Sequence, residues 1–360
     1  MRTFCCDHCG NRLVFENVFC LCCQRTLGYL PDVSKLSALE PAGAKDWEAL
    51  PRGAGRQYRK CANYQEHGVC NWMIPSGEDH ALCLACRLNR VIPNLNNSDN
   101  EDRWAKVEAA KRRMVYTLLV LGLPVTDKGS DPGRGIAFQF LVDQPGGPRV
   151  LTGHDEGVIT INVAEAEAHI REKMRKDMGE KYRTLLGHFR HEIGHHYWNL
   201  LIRDAGELEP FRELFGDERA DYAEALRRNY EEGAPSDWDD HFISSYASSH
   251  PWEDWAETWG NYLHMIDTLE TARDAGIILE TAPYGGGRPA PVPDLRSTER
   301  FDDLLGAWFP LTFALNNINR GVGYPDIYPF YLSGPVIKKL KFVHEVICRA
   351  SQGRGSAAPS

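Results

Sequence analysis

Residues Thr184–Leu201 read TLLGHFRHEIGHHYWNLL, and within them His191, Glu192, Ile193, Gly194 and His195 form an HExxH pattern. On an α-helix, residues four apart stand one above the other, so His191 and His195 can grip one metal ion while Glu192 meets a water beside it. The helix is supported by its apolar spacing. Leu185, Leu186, Phe189, Ile193, Tyr197 and Leu201 recur every three to four residues and form a stripe for the core beside the histidines. Gly206, after Arg203, is the expected stop. A histidine-rich surface helix would give the same letters, so a third ligand has to decide between the two.

A hydrolytic zinc site takes three protein ligands and keeps a position for water. Two downstream stretches offer carboxylates: GDERADYAEAL from Gly216, and SYASSHPWEDWAETWGNYLH from Ser245. At about 100° per residue, a helix beginning near Pro251 places Glu253, Glu257, Gly260 and His264 on one face, with Gly260 allowing close helix approach. Trp255, Trp259, Tyr262 and Ile266 fall on the opposite face and suit the core, while Asp254 points away from Glu253. Glu253 is therefore the favoured ligand, with Glu218, Asp217 or Asp221 as alternatives. Asp217 or Asp221 could instead accept the proton of a ligand histidine and fix its tautomer, a role also open to Glu257 beside that of a plain buried ion pair. The acids from Gly216 onward also suit an amphipathic helix in which they pair with Arg219 and Arg227. His196 points off the metal face and His250 sits before a proline, so neither is expected to bind metal.

The chain has 360 residues, 42% of them apolar, enough for two or three domains with a sizeable core. A net charge of -9 calls for neither nucleic acid nor an anionic membrane. The N-terminal MRTFCCDHCG lacks a signal-peptide core, and the apolar stretch Met114–Val125 is broken by Gly122 and Pro124 and too short to span a bilayer. A cytoplasmic location is expected, where disulfides are disfavoured, yet ten of the 11 cysteines lie in the first 86 residues. Metal explains them. Cys6, Cys9, Cys20 and Cys23 form two CxxC turns, the set for a closed tetrahedral zinc site, with Cys5 and Cys22 as nearby thiols that could swap register. Cys61, Cys70, Cys83 and Cys86 suit a second structural zinc, in which His67 or His80 could replace a thiolate.

Residues 1–100 carry 11 Lys/Arg against 10 Asp/Glu, a balance without the basic footprint of a nucleic-acid binder, so protein contact or scaffolding is the expected role of this half. PAGAKDWEALPRGAG, from Pro41, reads as a linker or ordered loop. Beyond the polar NLNNSDNED boundary come a helix over 102–121, strands at Ile136–Val142 and Val158–Val163, and a charged helix over Ala164–Met178. An edge strand of such a sheet can hold an extended peptide. Leu304–Cys348 reads as two helices around GVGYPDIYPFYLSGP, with Cys348 as a buried apolar thiol.

The pattern Tyr246, Glu253, Glu257 after the HExxH resembles the gluzincin arrangement of the anthrax lethal factor peptidase domain. That resemblance implies Glu253 as the third zinc ligand, Glu257 outside the direct ligands and Tyr246 as the oxyanion donor. More broadly, FCCDHCG, LVFENVFCLCC, LGHFRHEIGHHYW, LFGDERADYAEAL, SSYASSHPWEDWAETW and NRGVGYPDIYPFYLS make the chain similar to a bacterial family of zinc-binding metallopeptidases that join an N-terminal zinc ribbon to a zincin-like domain. The sequence lacks the NExxxD helix of thermolysin-like enzymes and the third histidine of metzincins.

The expected fold is α+β, mainly α. It comprises a zinc ribbon at 1–31, a second four-cysteine module of ribbon or treble-clef type at 57–95, a zincin-like metallopeptidase domain with a small β-sheet at 101–350, and a disordered tail at 351–360. The expected function is peptide-bond hydrolysis with one catalytic and two structural Zn2+, Glu192 acting as general base on a peptide or protein substrate, without nucleic acid or membrane. The alternative is a zinc-ribbon adaptor whose zincin domain binds a protein partner without cleaving it, a reading to which an intact Glu192 gives no reason.

Overall fold

The first hundred residues hold little helix-forming sequence, and the chain there is built from cysteine turns and short strands. The computed structural model describes residues 2–50, 56–144, 146–177, 184–279, 290–294, 300–328 and 331–355. β1 (Phe4–Cys5) pairs antiparallel with β2 (Arg12–Leu13), with Cys6 and Cys9 on the turn between them. Strands β3 (Leu27–Leu30), β4 (Lys35–Pro41), β5 (Asp46–Ala49), β6 (Gln57–Lys60) and β7 (Met73–Pro75) then form an antiparallel meander in chain order.

The linker expected from Pro41 onward is corrected here, because residues 46–49 are the central strand of this sheet. Propensity does not signal a strand whose stability comes from partners on both sides. Trp47 lies opposite Tyr58, and the Lys60 ammonium sits 4.5 Å from the Trp47 ring and 4.6 Å from that of Tyr64. Residues 51–55 of the same stretch lie outside the described residues.

The two cysteine groups share one aromatic core rather than standing as separate beads. The Tyr29 amide donates to the Asn71 carbonyl at 2.7 Å, and the rings of Phe15, Tyr29, Trp72 and Tyr116 meet with centroids 4.7 to 6.4 Å apart. Cys61 and Cys83 stand just before helices α1 (Ala62–Gln65) and α2 (Leu84–Arg87), Cys86 lies within α2, and β8 (Asn89–Val91) leads to α3 (Ser98–Val120). β9 (Ala137–Leu141), β10 (Gly153–Asp155) and β11 (Val158–Asn162) join β8 in a sheet of order β10-β11-β9-β8. The alternating VITINV stretch buries Ile159 and Ile161 as its pattern requires. Under this sheet a fully buried Lys111–Glu108 pair at 2.9 Å is completed by Asn89, which bonds both partners at 2.5 Å, and by the Trp104 indole at 3.2 Å.

Residues 2–120 and 124–171 form one compact unit, and residues 121–123 with those from Glu172 onward form another. After α4 (Ala168–Asp177), the second unit contains α5 (Leu185–Trp198), α6 (Leu208–Phe215), α7 (Tyr222–Glu232), α8 (Trp238–His241), α9 (Pro251–Asp274), the short pair β12 (Ile278–Leu279) and β13 (Ala290–Pro291), α10 (Phe301–Gly321) and α11 (Gly334–Gly355). α5 continues as one wide π-helical turn, Asn199–Arg203, before Gly206 takes a φ of +80°. α9 is the axis of this unit. It starts with proline in its first turn behind a His250 cap, and α5, α10 and α11 all pack on it.

The tight crossing lies at Gly194. A Cβ there would stand 3.1 Å from Trp259 and 3.2 Å from the Ala256 Cα, whereas one on Gly260 would find nothing nearer than 3.7 Å. Close approach therefore depends on the glycine inside the HExxH pattern and not on Gly260 as expected. Trp255 donates its indole N–H to the Gly194 carbonyl at 2.8 Å, and Tyr197 stacks on Trp259 at 5.0 Å.

Two expectations at the C-terminus are corrected. α11 runs to Gly355, so residues 351–355 continue a helix, while 356–360 lie outside the described residues. Cys348 is half-buried with its sulfur 3.5 Å from His344 Nε2, because the residue one turn away on α11 turns inward to meet Tyr262. Among the described residues no helix is long and apolar enough to cross a membrane.

Lys339 of α11 ends against Asp254 at 2.5 Å, with the His241 carbonyl at 2.9 Å and the Phe242 ring at 4.3 Å. Burial pushes the Asp254 carboxyl up to about 7 even though Lys339 pulls the other way. Removing one member of a buried pair typically costs about 3–5 kcal/mol. Lys339→Met is expected to lower unfolding stability by that order in a urea titration, and a change below about 1 kcal/mol would show the pair to be energetically idle.

Candidate metal centre

Three groups of side chains converge as a metal site requires: Cys6, Cys9, Cys20 and Cys23; Cys61, Cys70, Cys83 and Cys86; and His191, His195 and Glu253. Within each, the candidate ligand atoms all lie within 4.8 Å of one another.

In the first group Cys6 and Cys23 sulfurs stand 3.7 Å apart, and Cys9 and Cys20 sulfurs 3.6 Å. In the second, Cys70 and Cys83 sulfurs stand 3.8 Å apart. A tetrahedron with metal–sulfur bonds of about 2.3 Å has edges of about 3.75 Å, so these spacings fit zinc and are far too long for disulfides. Cys5 and Cys22 are exposed and belong to neither group, so the x2-spaced pairs are the ones that gather. His67 faces Glu101 at 3.7 Å and the second set consists of cysteines alone.

That second set is fully interior. Cys61 and Cys83 begin α1 and α2, and backbone N–H groups of Trp72 and Cys83 point at the Cys70 and Cys61 sulfurs at 3.3 and 3.4 Å. Burial, then the neighbouring sulfurs, hold the Cys83 thiol well above its ordinary value. Four such groups ionise together only around a cation. The buried Arg112 guanidinium bonds the Val69 carbonyl; burial opposes its charge, but Cys70 and then Glu108 more than offset that.

In the third group α5 supplies both histidines and α9 the carboxylate. His191 Nε2 lies 3.0 Å from Glu253 Oε2, and His195 Nε2 lies 3.7 Å from Glu253 Oε1. On the other side of the His191 ring, Nδ1 meets Glu257 Oε1 at 2.7 Å, and Glu257 Oε2 accepts from the Ser244 hydroxyl at 2.7 Å. With Nδ1 facing the Glu257 carboxylate, Nε2 is the nitrogen that faces the space shared with His195 and Glu253 and would be the one to bind a metal there. The electrostatics show what fits there. Burial opposes the His191 proton, yet Glu253 and Glu257 outweigh it and raise the group well above its usual value. Burial also works against the Glu253 charge, but His195 and His191 hold it down at about 2, while burial pushes His195 down to about 4. Two ionised carboxylates around an imidazole pair form a cavity that suits a cation.

The neighbouring residues sort themselves by partner. Asp254, which the helical wheel turned away from the metal, is bound to Lys339. The alternatives from the Gly216 stretch are corrected. Asp217 is exposed and chelates the Arg219 side chain at 2.8 Å, Glu218 forms a fork with Arg212 at 2.6 and 2.9 Å, and Asp221 caps α7 by accepting from Glu224 N at 3.0 Å. Each is held by its own local partner, so neither ligation nor orientation of a ligand histidine falls to it. Arg227 likewise pairs with Glu224 and Glu231. Tyr246 places its ring 6.1 Å from that of His191. Burial, then the charge of Glu253, raise its phenol far above the ordinary range.

Sequence reasoning passed over two residues of the site. Tyr222 donates its hydroxyl to Glu253 Oε1 at 2.6 Å. Ser244 stands one residue before the second stretch quoted for its carboxylates. Tyr222 lay inside one segment singled out for acids and Ser244 just before the other, where a hydroxyl carries no signal without the fold.

A family model described as "putative zinc-binding metallo-peptidase" matches residues 100–346. The chain belongs to this family. A zinc-ribbon domain model matches residues 3–97, in agreement with the two four-cysteine clusters as zinc sites. Family relatives include an uncharacterized protein of Mycobacterium bovis and two of Mycobacterium tuberculosis, each 41% identical over 348 residues, which cover 96% of this chain and 95% of the relative. No solved structure matches the chain.

Carboxylates that orient a ligand histidine typically contribute 10- to 100-fold to metal affinity. Glu257→Ala is expected to weaken zinc retention at the histidine pair by about that factor in chelator competition, with both cysteine clusters still loaded. Unchanged retention would make Glu257 a mere buried ion-pair partner.

Proposed function

We propose that the protein is a zinc-dependent peptidase of gluzincin type. One hydrolytic zinc is held by His191, His195 and Glu253, and structural zincs are held by Cys6, Cys9, Cys20 and Cys23 and by Cys61, Cys70, Cys83 and Cys86. The observation that carries this reading is the convergence of the two imidazoles and the Glu253 carboxylate within 4.8 Å, with Glu257 behind His191. Three ligands rather than four leave a position for water, the difference between a hydrolytic and a structural site.

When bound there, zinc supplies an acidified water and a Lewis acid for the scissile carbonyl. The chain supplies the rest. Glu192, next to His191 on the same turn, takes the proton of the attacking water and returns it to the departing amine. Tyr246, kept protonated by burial and by the charge of Glu253, donates to the carbonyl oxygen as negative charge develops on it. The substrate is a peptide or protein. Ligation by thiolates in both cysteine clusters suits a reducing compartment, and we place the protein in the cytoplasm.

Glu192→Gln is expected to abolish peptide hydrolysis by a factor of at least about 10² while zinc per chain stays near three, and His195→Ala to lower that count to about two. Full turnover by Glu192→Gln on a verified substrate would overturn the mechanism. Equal zinc content of the wild type and His195→Ala would overturn the centre and favour a non-cleaving adaptor.

A further inference from the structure

We infer that Tyr222 is a positioning residue for Glu253: its phenol takes one carboxylate oxygen and thereby commits the other to the metal. The inference rests on the reading of His191, His195 and Glu253 as the hydrolytic zinc site.

The two oxygens of Glu253 are in unlike settings. Oε1 accepts the Tyr222 hydroxyl at 2.6 Å, a short charge-assisted bond. Oε2 is buried, makes no well-aligned hydrogen bond among the described residues, and has His191 Nε2 3.0 Å away. A buried carboxylate oxygen without a well-aligned hydrogen bond is costly unless positive charge answers it. Oε2 and His191 Nε2 are spaced much as neighbouring ligands at about 2.0–2.1 Å from one ion would be.

Tyr222 is held in the frame that carries its target. It is the first residue of α7, just after the Asp221 cap. His250 ties this corner to α9, its Nε2 donating to the Ala220 carbonyl at 3.2 Å and its Nδ1 accepting from Trp252 N at 3.1 Å. The Tyr222 ring stands edge-on to His250 at 5.1 Å and to Trp252 at 6.0 Å. Phenol and carboxylate thus share the first turn of α9 as a common base. A phenol is protonated throughout the neutral range and so remains a donor to the carboxylate.

A carboxylate fixed through Oε1 binds with Oε2 alone and leaves a coordination position for water. Freed from the phenol, it can turn both oxygens to the ion, closing that position. The role differs from that of Tyr246, which reaches toward substrate; Tyr222 acts through a ligand.

The test is Tyr222→Phe, which removes only the hydroxyl, compared with wild type in the full chain. Zinc retention is measured by chelator competition. In a second measurement, cobalt(II) is loaded into the histidine site while the cysteine sites keep zinc, and its visible absorption is recorded. We expect the variant to keep its two cysteine-bound zincs and its unfolding curve, to hold the third zinc about 10- to 100-fold more weakly, and to show a weaker cobalt band, since added coordination lowers that absorption. Wild-type affinity together with a wild-type spectrum would overturn the inference. A lowered unfolding curve with an unchanged spectrum would reduce Tyr222 to a structural role and overturn it as well. If the wild type holds no more metal than His195→Ala, the zinc reading itself fails and takes this inference with it.

Discussion

Two carboxylates from one helix meet two imidazoles from another inside protein, a juxtaposition that favours positive charge between them. Glu253 and Glu257 flank His191 on its two nitrogens, and His195 stands by with its own proton disfavoured. The surrounding unit is organised to sustain this. Trp255 and Trp259 bury the other side of α9, Asp254 is answered by Lys339 from α11, and Arg190 next to His191 is answered by Asp267 further along α9. Asp254 and Asp267 thus have cationic partners, whereas Glu253 and Glu257 face the two histidines.

The other unit is held differently. Short strands and turns there pack on an aromatic core, and the cysteine clusters pin that core at two points. Sulfur spacings of 3.6 to 3.8 Å mark both points. Four thiolates about a divalent ion leave excess negative charge, and Arg112 brings one positive charge to the interior cluster. Its hydrogen bond to the Val69 carbonyl connects α3 to the segment just before Cys70, so the helix is anchored to the metal-bearing loop and not merely laid over it.

What was legible in the sequence is what repeats at short range. The histidine pair, the CxxC turns, the faces of α9 and the alternation in β11 follow from spacings of two to four residues, and each appears where the pattern placed it. What escaped depends on partners far along the chain. β5 is a strand because β4 and β6 flank it, Lys339 belongs with Asp254 from 85 residues away, and Tyr222 belongs with Glu253 from 31 residues away. The acids of the Gly216 stretch follow the other reading open to them, as partners of nearby arginines. Arginines within a few residues occupy Asp217 and Glu218, and a helix start occupies Asp221.

The contact at Gly194 gives the site a mechanical character. Because the backbones of α5 and α9 touch through this residue, and Tyr197 and Trp259 stack beside it, their separation is set by hard repulsion between main-chain atoms. Such a contact behaves as a fulcrum. Bending of the distal ends of either helix tilts them about this point and scarcely alters the gap one turn away, where His191 and His195 face Glu253. A side chain at this position between the histidines would wedge the two helices apart and with them the histidine pair and Glu253.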